Sequence, residues 1–107
     1  MPYVVRILSR AKFDAQQIYD WIKDRSPEGA VRWWTAFRDA CHSLKQNPER
    51  QSLAIEAEQT GRDLRQLLFK TRRGRYYRLV YVIAGEEVHV LRVRGPGQPD
   101  LTPGELA

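Results

Sequence analysis

The sequence predicts an α+β fold in which a helical hairpin packs on one face of a small antiparallel sheet. Three observations carry this. Apolar residues recur every three or four positions through two stretches of the first half. The second half contains three runs of β-branched, aromatic and leucine residues separated by turn residues. A short strand-like run opens the chain, so the order is β-α-α-β-β-β, with the far sheet face left to water or to a partner.

The elements follow in order. Tyr3 to Leu8 reads as a strand, and Ser9 as the cap of the helix that follows. From Ala11 to Lys23, the residues Ala11, Ala15, Ile18, Tyr19 and Ile22 share one helical face. Asp24-Arg25-Ser26-Pro27 interrupts that helix; Ser26 suits the cap of the next one and Pro27 its first position. In the second helix Ala30, Trp33, Trp34, Phe37, Cys41 and Leu44 step over four turns until Asn47-Pro48 ends the pattern. Of the two tryptophans, one is expected in the core and the other near the helix edge. Glu49 to Gly61 is polar and aperiodic, and reads as a loop or short turn structure. Strands are expected at Arg65 to Phe69, Tyr76 to Ile83 and Val88 to Arg94, joined by the turn Arg72-Arg73-Gly74-Arg75 and the hairpin loop Ala84 to Glu87. Strict alternation along the last strand puts Val88, Val90, Arg92 and Arg94 on one face and His89, Leu91 and Val93 on the other. Gly95-Pro96-Gly97-Gln98-Pro99 stops it, so residues 1–95 are expected to form one domain and 96–107 a mobile tail.

A chain of 107 residues suits a single domain with a modest core. No apolar run is long enough to cross a membrane, the N-terminus lacks a secretory pattern, and the lone Cys41 has no disulfide partner, so the expected compartment is the cytoplasm. No Cys/His cluster has zinc spacing and no glycine-rich loop has a phosphate-binding pattern, so no cofactor is expected.

Charge is the most informative feature. The net charge is +5, of which residues 1–61 supply +1, residues 62–94 supply +6 and the tail −2. A stretch so basic suits an anionic partner, either nucleic acid or an acidic protein. Arg65, Arg72, Arg73, Arg75, Arg92 and Arg94, with Tyr77 and Tyr81 as stacking faces, are the candidate target- or nucleic-acid-binding residues. Arg78 lies within an apolar strand. It needs either an outside partner or a buried ion pair, with Glu86, Glu87 or a loop acid such as Glu56.

Together these segments resemble the RelE/ParE superfamily of bacterial type II toxin–antitoxin systems. The resemblance spans Tyr3 to Arg94. It rests on Leu44-Lys45-Gln46-Asn47-Pro48, Gly61-Arg62-Asp63-Leu64-Arg65, Gly74-Arg75-Tyr76-Tyr77-Arg78-Leu79-Val80-Tyr81 and Val88-His89-Val90-Leu91-Arg92-Val93, in that order and spacing. It implies a toxin held in a hetero-oligomer by a cognate antitoxin whose C-terminal segment is disordered alone and often acidic. Two mechanisms occur in the superfamily. ParE-like members inhibit DNA gyrase, and the helical hairpin here looks more like theirs. RelE-like members cut mRNA on the ribosome without metal; for that activity the resemblance points to Arg78 and Lys70 as catalytic residues. Such nucleases also place an arginine and an aromatic or histidine acid/base after the last strand. Here Gly95-Pro96-Gly97-Gln98-Pro99-Asp100-Leu101 has none. The expected function is therefore a ParE-like gyrase inhibitor. The alternatives are a ribosome-dependent RNase and a non-toxic basic module that binds nucleic acid.

Overall fold

A computed structural model describes residues 2–106. Strand β1 (Val4–Ile7) leads into helices α1 (Ser9–Lys23) and α2 (Pro27–Ser43); a 3-10 turn (Pro48–Arg50) and a short helix α3 (Glu56–Thr60) precede β2 (Arg65–Phe69), β3 (Tyr77–Ala84) and β4 (Glu87–Arg94), and a second 3-10 turn spans Pro103–Leu106. The predicted element order therefore holds, and α1 and α2 pack on one face of the sheet as expected.

Local chemistry explains the hairpin. Ser26 caps α2, its hydroxyl accepting the Gly29 N–H at 3.0 Å, and Pro27 occupies the first helical position, where its missing donor costs nothing. Ser9 does not cap α1; it is the first helical residue, and Leu8 precedes it without a side-chain cap. Ala11 and Ala15 are fully buried, and their small side chains let α1 lie close to β4. The buried face of α2 carries Ala30, Trp33, Phe37, Ala40 and Cys41. Trp33 and Phe37 stack at 5.5 Å, and Phe69 and Tyr77 from the sheet complete the aromatic cluster. Trp34 stays half-buried at the helix edge, edge-on to Tyr19 at 5.6 Å.

Burial pushes the Cys41 thiol up to about 12. Because thiolate is the reactive form, native protein at pH 8 should label with a disulfide reagent at least ~100-fold more slowly than urea-unfolded protein. Equal rates would show that this part of α2 opens readily.

The sheet order is β1-β4-β3-β2. The β2–β3 and β3–β4 pairs are antiparallel as expected, but β1 joins β4 in parallel, so the sheet is mixed. The helical hairpin supplies the crossover that a parallel neighbour requires. The hairpin loop between β3 and β4 narrows to Gly85-Glu86, with Gly85 at φ +62°, a conformation suited to glycine. A second departure lies within β4. Val80 pairs with Arg92 while Tyr81 pairs with Val90, so Leu91 is an extra residue in a β-bulge. The bulge resets the alternation: Val88, Val90 and Val93 all enter the helix-side core, and Leu91 turns to the other face.

That other face is not open. Ala54, Ala57, Leu64, Val80, Leu101 and Leu106 form a second buried cluster with Val82 and Leu91 packed against it. The polar loop contributes Ala54 and α3. The tail, expected to be mobile, contributes Leu101 and Leu106, each at most 5% exposed. Its carbonyl groups are also held: Arg10 donates to Gly104 and Glu105, Arg92 to Glu105, and Arg62 to Leu106. Proline and glycine end the strand here but do not prevent the chain from packing beyond it. No helix among the described residues is long and apolar enough to cross a membrane.

Candidate functional site

Of the nine cations between Arg62 and Arg94, Arg62 donates to the Leu106 carbonyl of the tail, and the other eight fall into two groups. The first is committed to the protein interior. Arg78 forms a bidentate pair with Glu56, at 2.8 Å from Nη1 to Oε1 and 2.5 Å from Nη2 to Oε2. Its Nη1 also reaches Gln66 at 3.3 Å, and Asp100 lies 3.8 Å from Nη2. Glu56 is wholly buried and accepts the Leu101 N–H at 2.8 Å as well. Burial alone would raise the carboxyl pKa. The Arg78 hydrogen bonds, the Leu101 N–H and the Arg78 charge together outweigh it and hold the pKa at about 2. Of the alternatives open for Arg78, the structure thus contains the buried ion pair.

The remaining strand arginines behave similarly. Arg92 grips Asp14 of α1 through Nε and Nη2 at 2.7 and 2.9 Å, and Asp14 also accepts the Val93 N–H. The Asp14 hydrogen bonds raise the Arg92 pKa further. Arg94 is buried and donates to the Pro99 carbonyl at 2.6 Å. Arg65 donates to the Glu49 and Gln51 carbonyls at 3.0 and 2.7 Å, fastening the loop to β2. Tyr81 is a core residue whose hydroxyl donates to the Pro48 carbonyl at 2.6 Å, and burial pushes that phenol up to about 12. Arg65, Arg78, Arg92, Arg94 and Tyr81, taken from the sequence as binding or catalytic candidates, therefore each donate to internal partners, although Nε of Arg65 and of Arg94 is buried with no partner among the described residues. Burial and pairing account for this: an arginine among apolar strand residues must find an acceptor, and the fold supplies one in every case.

The second group remains outside. Lys70, Arg72, Arg73 and Arg75 are exposed on the β2–β3 turn and make no ion pair among the described residues. Lys70 lies over the exposed Tyr76 ring, with Nζ 5.1 Å from its centroid. Tyr77 is half-buried, edge-on to Trp33 at 5.4 Å. Burial raises its phenol pKa, and the Arg75 charge opposes that rise.

Beside the turn lies a groove of about 610 Å³, walled by Ile18, Trp21 and Ile22 of α1, Arg32 and Trp33 of α2, Arg75 of the turn and Tyr77 of β3. Gly95 lets the floor close up, because a Cβ there would stand 2.8 Å from the Tyr77 ring. Trp21 is 58% exposed, with the Arg25 guanidinium stacked 3.7 Å from its ring centroid. Trp21, Arg25 and Arg32 escaped the sequence reading. Trp21 left a signal, as a large aromatic off the apolar stripe of α1.

The arrangement offers positive charge and aromatic surface. Among the described residues no group of three or more His, Cys, Asp or Glu is placed to hold a metal ion. His89 is engaged by Glu87 at 2.8 Å, and the segment after β4 brings no histidine, tyrosine or arginine to the basic turn.

A helical hairpin on a four-stranded mixed sheet, in the order β-α-α-β-β-β, is a fold shared with a solved toxin–antitoxin structure. Among solved structures, the chromosomal ParDE toxin–antitoxin system of P. aeruginosa superposes with a TM-score of 0.67 at 20% identity, over 86% of this chain and 94% of that one. A chain of the toxin–antitoxin complex RelBE2 from Mycobacterium tuberculosis aligns at 28% identity with a TM-score of 0.47, over 88% and 98% of the two chains. No curated protein sequence matches the chain. Residues 5–98 match the family described as the ParE toxin of the type II toxin–antitoxin system, parDE. The chain belongs to that family, the ParE-like branch of the superfamily.

Proposed function

We propose that this type II toxin arrests growth by inhibiting DNA gyrase and is neutralised in the cytoplasm by a cognate antitoxin bearing an acidic, initially disordered segment. The observation that carries this reading is the fate of Arg78. A nuclease of the RelE kind needs a free cation over the phosphate and a nearby acid/base. Here the guanidinium is occupied on both terminal nitrogens by Glu56, and the post-strand acid/base is missing from the sequence. Lys70 remains free, but one cation beside a tyrosine lacks the rest of that machinery. Membership of the ParE family supports the same choice. The exposed turn Lys70–Arg75 is the surface with charge to spare, both for an acidic antitoxin and for the target.

Two measurements test this. Purified toxin added to gyrase and relaxed plasmid should reduce supercoiling, and cognate antitoxin should restore it. Induced cells should accumulate gyrase-dependent DNA breaks while their mRNA 5′ ends remain as in uninduced cells. Codon-positioned mRNA cuts with normal supercoiling would overturn the proposal in favour of the ribosome-dependent RNase.

A further inference from the structure

The basic turn and the groove beside it form one continuous surface, and its chemistry suits a ligand more specific than negative charge alone. On one side, Lys70, Arg72, Arg73 and Arg75 present four cations within six residues, none of them in an ion pair among the described residues. On the other, Trp21 carries Arg25 on its face, and Arg25 Nη1 is anchored by the Trp21 carbonyl at 2.7 Å. The groove between them is lined by Arg32 and Arg75 and, among the described residues, by no acid. Its walls are mainly apolar, with the aromatic rings of Trp21, Trp33 and Tyr77 among them.

We propose that this surface binds a short stretch of single-stranded nucleic acid. Phosphates would lie along the turn cations, and one unstacked base would enter the groove beside the Trp21–Arg25 stack. A guanidinium already lying on an indole extends a stacking platform to which a base can add. An acidic peptide could satisfy the cations, but it would leave the aromatic platform without a planar partner. A duplex could satisfy the cations, but it keeps its bases stacked away from the groove. The inference does not rest on gyrase as the target, because it concerns the purified chain and an oligonucleotide.

The test is fluorescence anisotropy of the full-length chain with labelled dT15, labelled rU15 and a 15-base-pair duplex, at several salt concentrations. Binding to a single strand should be at least fivefold tighter than to the duplex. Contacts to three or four phosphates predict a slope of log affinity on log salt of about −2 to −3. The triple variant Arg72→Gln, Arg73→Gln, Arg75→Gln should weaken binding at least tenfold and flatten that slope. Trp21→Ala should weaken single-strand binding about tenfold, within the range for one base–aromatic stack, and leave the slope unchanged. All four side chains are exposed, so thermal melting should show both variants folded. The tighter of dT15 and rU15 identifies the preferred strand; binding of either supports the proposal. Failure to bind both, equal affinity for the duplex, or wild-type binding by Trp21→Ala overturns it.

Discussion

Replacing Glu56 with alanine should destabilise this protein by about 3–5 kcal/mol and lower its melting temperature by roughly 10–30 °C. The reason is asymmetry. The Arg78 side chain is 14% exposed, and Glu56 provides both of its short acceptors. Removing the carboxylate leaves a nearly buried guanidinium, with Gln66 and the more distant Asp100 as weak substitutes, and leaves the Leu101 N–H unpaired. Arg78→Ala should cost a similar amount by stranding the carboxylate. Loss of toxicity in that variant would thus report lost folding, and it would not identify a catalytic residue. The double variant Glu56→Met, Arg78→Met removes both charges while retaining much of the volume. It should recover most of the stability, because a buried ion pair is often replaceable by apolar side chains. If the single variants melt within a few degrees of the wild type, the pair is not structural and Arg78 returns as a candidate for function.

The same pair predicts the acid sensitivity of the fold. The Glu56 pKa is depressed from 4.5 to about 2 in the folded state. Its contribution is therefore complete above about pH 4.5 and is lost as pH falls towards 2, a change on the order of 3 kcal/mol. Urea midpoints at pH 7, 4.5 and 3 should fall across the lower two values in the wild type. They should fall less in the double variant.

The pair also shows what the sequence could and could not reveal. The helical hairpin was legible because Trp33, Phe37 and Cys41 repeat at helical spacing, and because Ser26-Pro27 is a start signal that acts locally. Strands β2, β3 and β4 were legible from β-branched and aromatic runs. Three features depended on distant partners. Arg78 meets Glu56 across 22 residues, and Arg92 meets Asp14 across 78; no pattern of charges along the chain specifies such pairings. The bulge at Leu91 shifts every later residue of β4 by one position, and an unbroken alternation therefore assigned Val93 to the wrong face. Strand β1 has no sequential strand neighbour to pair with, so its parallel alignment with β4 was hidden. For the candidate site, total charge was a poor guide because arginine serves as a structural clamp as readily as a recognition group. Lys70, Arg72, Arg73 and Arg75 stayed exposed because they sit in a turn, outside the layers that bury their neighbours.

Deleting residues 100–107 should be as damaging as breaking the ion pair. The deletion removes Leu101 and Leu106 from the second core and uncovers Leu64 and Val80 beneath them. Two buried leucines are worth about 4–8 kcal/mol in total, compared with a whole stability of ~5–15 kcal/mol for a domain. The truncated chain should therefore be largely unfolded, or soluble only with a partner that covers the exposed face. A gentler variant, Leu101→Ala, should cost about 2–4 kcal/mol and make the tail more accessible to protease. A freely mobile tail would give the opposite result, with unchanged melting and rapid cleavage after Arg94 in the wild type. The two clusters of effects should also interact. Leu101 brings to Glu56 the N–H that helps keep the carboxylate ionised, so the tail holds the ion pair and the ion pair holds the tail. A double-mutant cycle between Glu56→Gln and Leu101→Ala should show a coupling energy of at least ~0.5 kcal/mol. Simple additivity would mean that the sheet, and not the tail, positions Glu56.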